Sequence, residues 1–415
     1  MTSLKALKRK EALREGYMVK GKPLKKHSPQ VMLVIGVIFI ALNLRPALTS
    51  IGPIMGVIRD ELGFSNWNVA LLTSLPLLVF AIMSIATSYL SQRFTNEKTL
   101  LFGLFILTIG IVLRSTSMMF FLFFGTLCIG VGIAICNVLL PGIIKDSFPN
   151  KLSLMTGLYS TSMAISATMA SAISVPFAES WGLGWRISLL VWAIPAFFAL
   201  LYWLFIHMYR IKPKASDNKS QKAGISSIAK SPLAWFIALF MGCQSLLFYI
   251  TISWFPEILV YFGTNQKTAG FLLSYLQLIG ILSSLLVPII SGKLKSQVWM
   301  VIGLNIFLII GILMLLFYQN ILIFIISTTL IGFSLSGNFT LALLFLSMRT
   351  NGTKQSTFLS GMAQSIGYAL AAIGPMAIGS IYDITQQWTV PLLILIVLAI
   401  FSSLLGLKVG KNELI

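Results

Sequence analysis

The sequence predicts an all-α membrane protein, with twelve transmembrane helices in two pseudo-symmetric six-helix bundles. Three observations predict it. Of the 415 residues, 57% are hydrophobic and only 10% charged, which leaves too little polar surface to cover a soluble chain of this length. The apolar residues fall in continuous runs of about 20 or more and do not alternate with period two, which favours helices over a β-barrel. A long polar interruption near the middle separates two sets of six runs whose sequences can be overlaid.

The elements follow in order. The first 30 residues carry nine Lys/Arg and form a basic cytoplasmic segment, 1–30. The run that follows extends over 31–58, far longer than a signal-peptide core, so it is read as a span and not as a cleavable leader. Polar breaks then delimit spans over 68–90, 99–118, 120–143, 153–178 and 186–209, completing an N-terminal bundle at 31–210. The stretch from Arg210 to Pro232 is rich in Lys, Ser and Pro and reads as a cytoplasmic linker, 211–232. The C-terminal bundle, 233–408, holds spans over 233–259, 268–290, 298–318, 321–347, 356–381 and 389–407, and 409–415 is a tail.

An even number of spans places both termini on one side. If that side is the cytoplasm, 25 of the 30 Lys/Arg lie on it and four outside (Arg59, Arg114, Arg186 and Lys267), with Arg45 in the membrane. This asymmetry orients the chain with both termini inside a cell membrane. The net charge of +19 is then a topology signal from short loops facing an anionic leaflet, and it calls for no nucleic-acid partner. Cys128, Cys136 and Cys243 all fall within spans, so neither a disulfide nor a metal site is expected. No phosphate-binding loop, metal-ligand cluster or nucleophile beside a histidine points to an enzyme or a bound cofactor.

A shift of 200 aligns "GFSNWNVALLTSL" from Gly63 with "GTNQKTAGFLLSY" from Gly263, and a shift of about 204 sets "TGLYSTSMA" from Thr156 against "SGMAQSIGY" from Ser360. A parallel six-helix repeat follows, with a solute site expected near the midplane between halves. Here the chain resembles the major facilitator superfamily over about 30–408. "NLRPALTSIGP" in span 1, "NVLLPGIIKDSFP" from Asn137 and "LSGMAQSIGYALAAIGP" from Leu359 are similar to the branch of cyanate and 2-nitroimidazole transporters. The superfamily's loop motif Gly-x-x-x-Asp-Arg reads Ser88-Tyr-Leu-Ser-Gln92-Arg93, so only Arg93, a gating candidate, matches. The resemblance implies a cavity lined by helices 1, 4, 7 and 10, with Asn137 and Asn338 as counterparts.

Arg45 sits in the middle of span 1, where an arginine costs at least about 2.5–3.5 kcal/mol and stays charged. The eleven acids all lie in loops or near helix ends, so no carboxylate is placed to neutralise it at the midplane. A site for an anionic or electron-rich small molecule is the reading that remains. Pro46 cannot donate to the carbonyl of Leu42, so the helix should loosen where the arginine emerges. The stripe Ala41, Arg45, Thr49, Gly52, Gly56 is small apart from the arginine and leaves room for a ligand. Asn43, Thr49, Asn137, Tyr159, Gln244, Tyr249, Gln277, Asn338, Gln364 and Tyr368 are the other substrate-binding candidates. For each amide, interhelical hydrogen bonding and solute contact are both open.

Trp254 and Glu257 flank Pro256 toward the outer end of span 7 and are gating or coupling candidates. Glu257 there reads more readily as a solvated gate than as a proton carrier. Without a nucleotide domain, transport must be driven by gradients, and protons or a counter-anion could couple to it. The competing readings are a multidrug or nitroimidazole-type exporter and an anion channel. A drug exporter would be expected to carry a buried acid, and a channel a charged ring.

Overall fold

The computed structural model describes residues 18–19, 22–23, 28–64, 66–116, 118–208 and 225–415. Among these, twelve helices are long and apolar enough to cross a membrane: α1 Gln30–Ile54, α2 Ser74–Phe94, α3 Asn96–Arg114, α4 Met119–Ser147, α5 Pro149–Ala178, α6 Gly184–Met208, α7 Pro232–Tyr261, α8 Thr268–Ser291, α9 Val298–Phe317, α10 Ile321–Met348, α11 Thr353–Thr385 and α12 Thr389–Val409. Every predicted span has its helix. The largest differences come at bends: α1 stops at Ile54 and a separate helix, Met55–Leu62, follows. That helix ends on Gly63, whose φ of 63° lies in the left-handed region where a side chain would be strained. A two-residue antiparallel pair, Met18–Val19 with Lys22–Pro23, precedes α1. Most of the predicted linker and of the basic N-terminal segment lies outside the described residues.

The helices α3, α6, α9 and α12 carry the outward apolar surface. Phe102 and Phe105, Phe197 and Phe198, Ile306 and Phe307, and Val397 and Phe401 are exposed there, as a lipid-facing ring requires. Within the N-terminal half, Gly103 and Gly110 of α3 meet Gly132 and Gly125 of α4 so closely that a Cβ at any of the four would strike the opposing helix. Small residues bring backbones together where lipid supplies no hydrophobic drive.

Between halves, α2 packs on α11 and α5 on α8, the two pairings that a pseudo-twofold relation exchanges. Near the ends on the side of the chain termini the two halves close on each other, α2 on α11 and α4 on α10. Ser88 Oγ donates to Thr357 O (3.1 Å), Ser347 Oγ donates to Pro141 O (3.2 Å), and Lys145 Nζ also reaches the Ser347 carbonyl. A Cβ at Gly361 would collide with Ser88 and Ser84, and one at Gly142 with Thr357. One polar clamp on this side departs from the sequence-based expectation. Arg349, read from the sequence as a loop charge, is buried and donates to Val409 O (3.0 Å), Asn412 Oδ1 (3.2 Å), Gly410 O (3.2 Å) and Gln297 Oε1, pinning the tail to the bundle. Burial pulls its guanidinium down to about 10.

Candidate substrate site

Arg45 stands where α1 breaks. The helix Ser28–Asn43 ends, Leu44 and Arg45 form a turn, and a new turn of helix, Pro46–Thr49, starts with Pro46 at its first position. Proline is well placed there because its missing N–H would have no partner in a first turn. The expected loosening at Pro46 is therefore a full interruption, and it turns Arg45 and Thr49 toward a central cavity of about 420 Å³. Its wall runs from Arg45, Leu77 and Phe339 to Met55, Leu72 and Met376, so it opens on the side away from the chain termini.

Within the cavity, Arg45 Nη1 donates to Tyr249 Oη at 3.3 Å, a bond from one half to the other. Its guanidinium carbon stands 5.4 Å from the ring centre of Phe339 and 5.8 Å from that of Phe248. Those rings lie nearly parallel, 6.0 Å apart. Each cation–π contact contributes on the order of 0.5–2 kcal/mol, so the rings offset part of the cost of holding a charge here. Among the described residues no carboxylate pairs with Arg45, and no Asp, Glu or His lines the cavity. The half-buried guanidinium keeps donors free for a solute.

Below Arg45 lies a second polar layer. Asn137 Nδ2 donates to Tyr368 Oη (3.4 Å), and Gln364 Nε2 donates to Asn137 O (3.2 Å) and Ser360 Oγ (2.7 Å). The Asn137–Tyr368 and Gln364–Asn137 bonds also cross between halves. Tyr368 packs edge-on against Phe80 (4.7 Å) and lies within electrostatic reach of Arg45, Tyr249 and Tyr159. The Tyr159 hydroxyl and Gln364 Oε1 are buried without a partner. Thr49 and Gln277 line the cavity, and Thr49 Oγ1 donates to Ala167 O (3.2 Å).

Three predicted site residues are placed elsewhere. Asn43 is buried against α6, donating to Phe39 O (2.7 Å) and Pro195 O (3.2 Å). Gln244 donates to Ser402 Oγ, and Asn338 donates to Asn305 Oδ1 (3.0 Å) and Ser334 Oγ (3.4 Å). Asn305 in turn donates to Ser402 Oγ (3.2 Å), closing a fully buried network inside the C-terminal half. These amides bind helix to helix. Trp254 donates to Pro375 O (2.8 Å) and packs on Trp388, while Glu257 and Arg93 are exposed and outside the cavity wall. Sequence reasoning missed Phe248 and Phe339, although each adjoins a residue it did select, Tyr249 and Asn338. It also counted Arg114 among outer loop charges, whereas Arg114 is 1% exposed.

Two half-bundles that share a cavity between them, closed at one face and open at the other, define a membrane carrier. The profile of the Major Facilitator Superfamily matches residues 31–372, and the chain belongs to that superfamily, in the branch of the cyanate and nitroimidazole transporters. It is similar to the uncharacterized transporter YycB of Bacillus subtilis (42% identical, covering 95% of this chain and 97% of that one). It is also similar to the 2-nitroimidazole transporter of Escherichia coli (36%; 92% and 96%) and to the cyanate transport protein CynX of Escherichia coli (25%; 86% and 91%). Among solved structures, the proton:xylose symporter XylE superposes with a TM-score of 0.74 at 13% identity, over 93% of this chain and 97% of that one, which shows the shared fold.

Proposed function

We propose that the protein is a secondary transporter of a small anionic or electron-rich solute, bound at Arg45 and moved by alternating access across the cytoplasmic membrane. The observation that carries this is a membrane-embedded arginine facing a cavity with no carboxylate to neutralise it. With the termini in the cytoplasm, as the charge asymmetry argues, the cavity faces outward. Solute enters from outside, its acidic or electron-rich edge meets the guanidinium, and the cross-half bonds of Asn137, Tyr249 and Gln364 rearrange as the halves rock.

The cavity wall also favours flat solutes. It is mostly apolar, with Phe248 and Phe339 beside the cation, and at about 420 Å³ it is far roomier than a triatomic anion needs. A planar ring with an anionic or nitro substituent uses both features. That keeps a nitroimidazole-type exporter as the second reading. Proton coupling, if present, does not run through a carboxylate in the cavity: Glu257 is exposed and apart from it. A lone monovalent anion entering against an inside-negative potential works against about 2.3 kcal/mol per 100 mV, so uptake requires coupling, exchange or rapid consumption.

The test is binding and proteoliposome flux with cyanate, nitrite, 4-hydroxybenzoate and 2-nitroimidazole, with Arg45→Ala beside the wild type. Saturable flux of at least one compound that Arg45→Ala loses supports the reading. Flux that Arg45→Ala retains at equal reconstitution refutes it, and single-channel currents would move the protein to a different class.

A further inference from the structure

Arg114 ends α3, is 1% exposed, and pairs with no acid among the described residues. Its Nη1 donates to the carbonyl of Ala47, while Nε and Nη2 are buried without partners. Ala47 belongs to Pro46–Thr49, the isolated turn of α1 that presents Arg45 and Thr49 to the cavity. That turn is bounded by the Leu44–Arg45 turn before it and by the tighter Gly52–Ile54 turn after it, and side chains tie it to its surroundings: Thr49 Oγ1 donates to Ala167 O and Ser171 Oγ to Thr49 O (both 3.2 Å) on the α5 side, and Arg114 bonds to Ala47 O on the α3 side. Arg114 is anchored firmly on its own side, since Gly125 of α4 lies against its backbone nitrogen with no room for a Cβ. An uncompensated buried cation weakens a fold, and two of its donors are idle. A charge kept at that cost is accounted for by what it holds.

We infer that Arg114 is a positioning residue: it fixes the broken turn of α1 so that Arg45 points into the cavity. This rests on Arg45 being the cavity's charge, and the test reads that charge directly without any solute. Ser253 lines the cavity one turn beyond Tyr249, the hydrogen-bond partner of Arg45. In Ser253→Cys protein, the modification rates by a sulfonate-bearing and by a trimethylammonium-bearing methanethiosulfonate are compared, with residue 253 read by peptide mass. A cation in the cavity raises the sulfonate rate over the ammonium rate, and Arg45→Ala is expected to lower that ratio at least fivefold.

Arg114→Met is expected to lower the ratio at least threefold when Arg45 is present and to change it by less than 1.5-fold in the Arg45→Ala background, because Arg114 acts through Arg45. Arg114→Lys, which retains a donor for Ala47, should stay within twofold of the parent. The apparent melting temperature of Arg114→Met should not fall, since a buried unpaired charge has been removed. An unchanged ratio, or an equal drop in both Arg45 backgrounds, overturns the inference, the second outcome showing that Arg114 contributes only its own field. If Arg114→Met does not fold, Arg114→Gln is read by the same criteria. Should no compound in the flux panel bind, the solute reading fails while this measurement still decides the role of Arg114.

Discussion

Asn137 and Asn338 each lie ten residues before the last residue of their helices, α4 and α10, yet they do different work. Asn137 bonds to Tyr368 and, through its carbonyl, to Gln364, both in the opposite half. Asn338 bonds to Asn305 and Ser334, both in its own half, within the network that Gln244 and Ser402 complete. The contrast teaches a rule for a rocking carrier. Polar contacts that cross the seam between halves must be remade in each cycle, whereas those inside one half can be permanent and serve to keep it rigid.

The strongest way to break the distinction is to make a crossing contact permanent. Ser88 and Thr357 meet across the closed seam of α2 and α11, where Ser88 Oγ donates to Thr357 O (3.1 Å). A Ser88→Cys/Thr357→Cys pair, once oxidised, should stop net transport almost completely, and a reductant should restore it. Flux through the oxidised protein would show that this seam does not open.

The next effect belongs to the crossing amides. Gln364→Leu removes the bonds to Asn137 O and Ser360, and solute flux should fall roughly 10–100-fold, equivalent to about 1.4–2.7 kcal/mol. Its melting temperature should change little, because the seam is made and broken in normal turnover. Tyr249→Phe deletes the hydroxyl that Arg45 reaches but keeps the ring beside Phe248, so a loss of about 3–10-fold in binding is expected, read by equilibrium titration.

The smallest functional effect should come from Asn338→Leu. It breaks the C-terminal network, and the loss should appear as a lower melting temperature, about 0.5–2 kcal/mol, with solute Kd within about threefold of wild type. A large loss of binding at unchanged stability would erase the difference between the two asparagines and restore Asn338 to the site.

Much of this was legible in the sequence, and the gaps have physical causes. The spans follow from run length, and the α1 break from Pro46, since backbone chemistry acts locally. Arg45 could be assigned because a charge in the membrane has few tolerable environments. The buried amides could not be sorted, because α4, α7 and α10 are apolar on nearly every side and carry no periodic signal of which face meets the centre. Asn43, Gln244 and Asn338 were therefore indistinguishable from Asn137 and Gln364 until their partners were known. Arg114 and Arg349 were hidden by their positions at helix ends, where a basic residue is ordinarily solvated or snorkels to the interface.

The central claim is that Arg45 supplies the charge that binds solute, and equilibrium binding of the flux-panel compounds by calorimetry tests it most directly. Wild type, Arg45→Lys and Arg45→Ala are titrated side by side, with folding checked by melting temperature. Saturable binding of at least one compound is expected for wild type, with a loss of about tenfold or more in Arg45→Lys because a point charge cannot reproduce the planar fork, and no detectable binding by Arg45→Ala. Wild-type affinity in folded Arg45→Ala would contradict it.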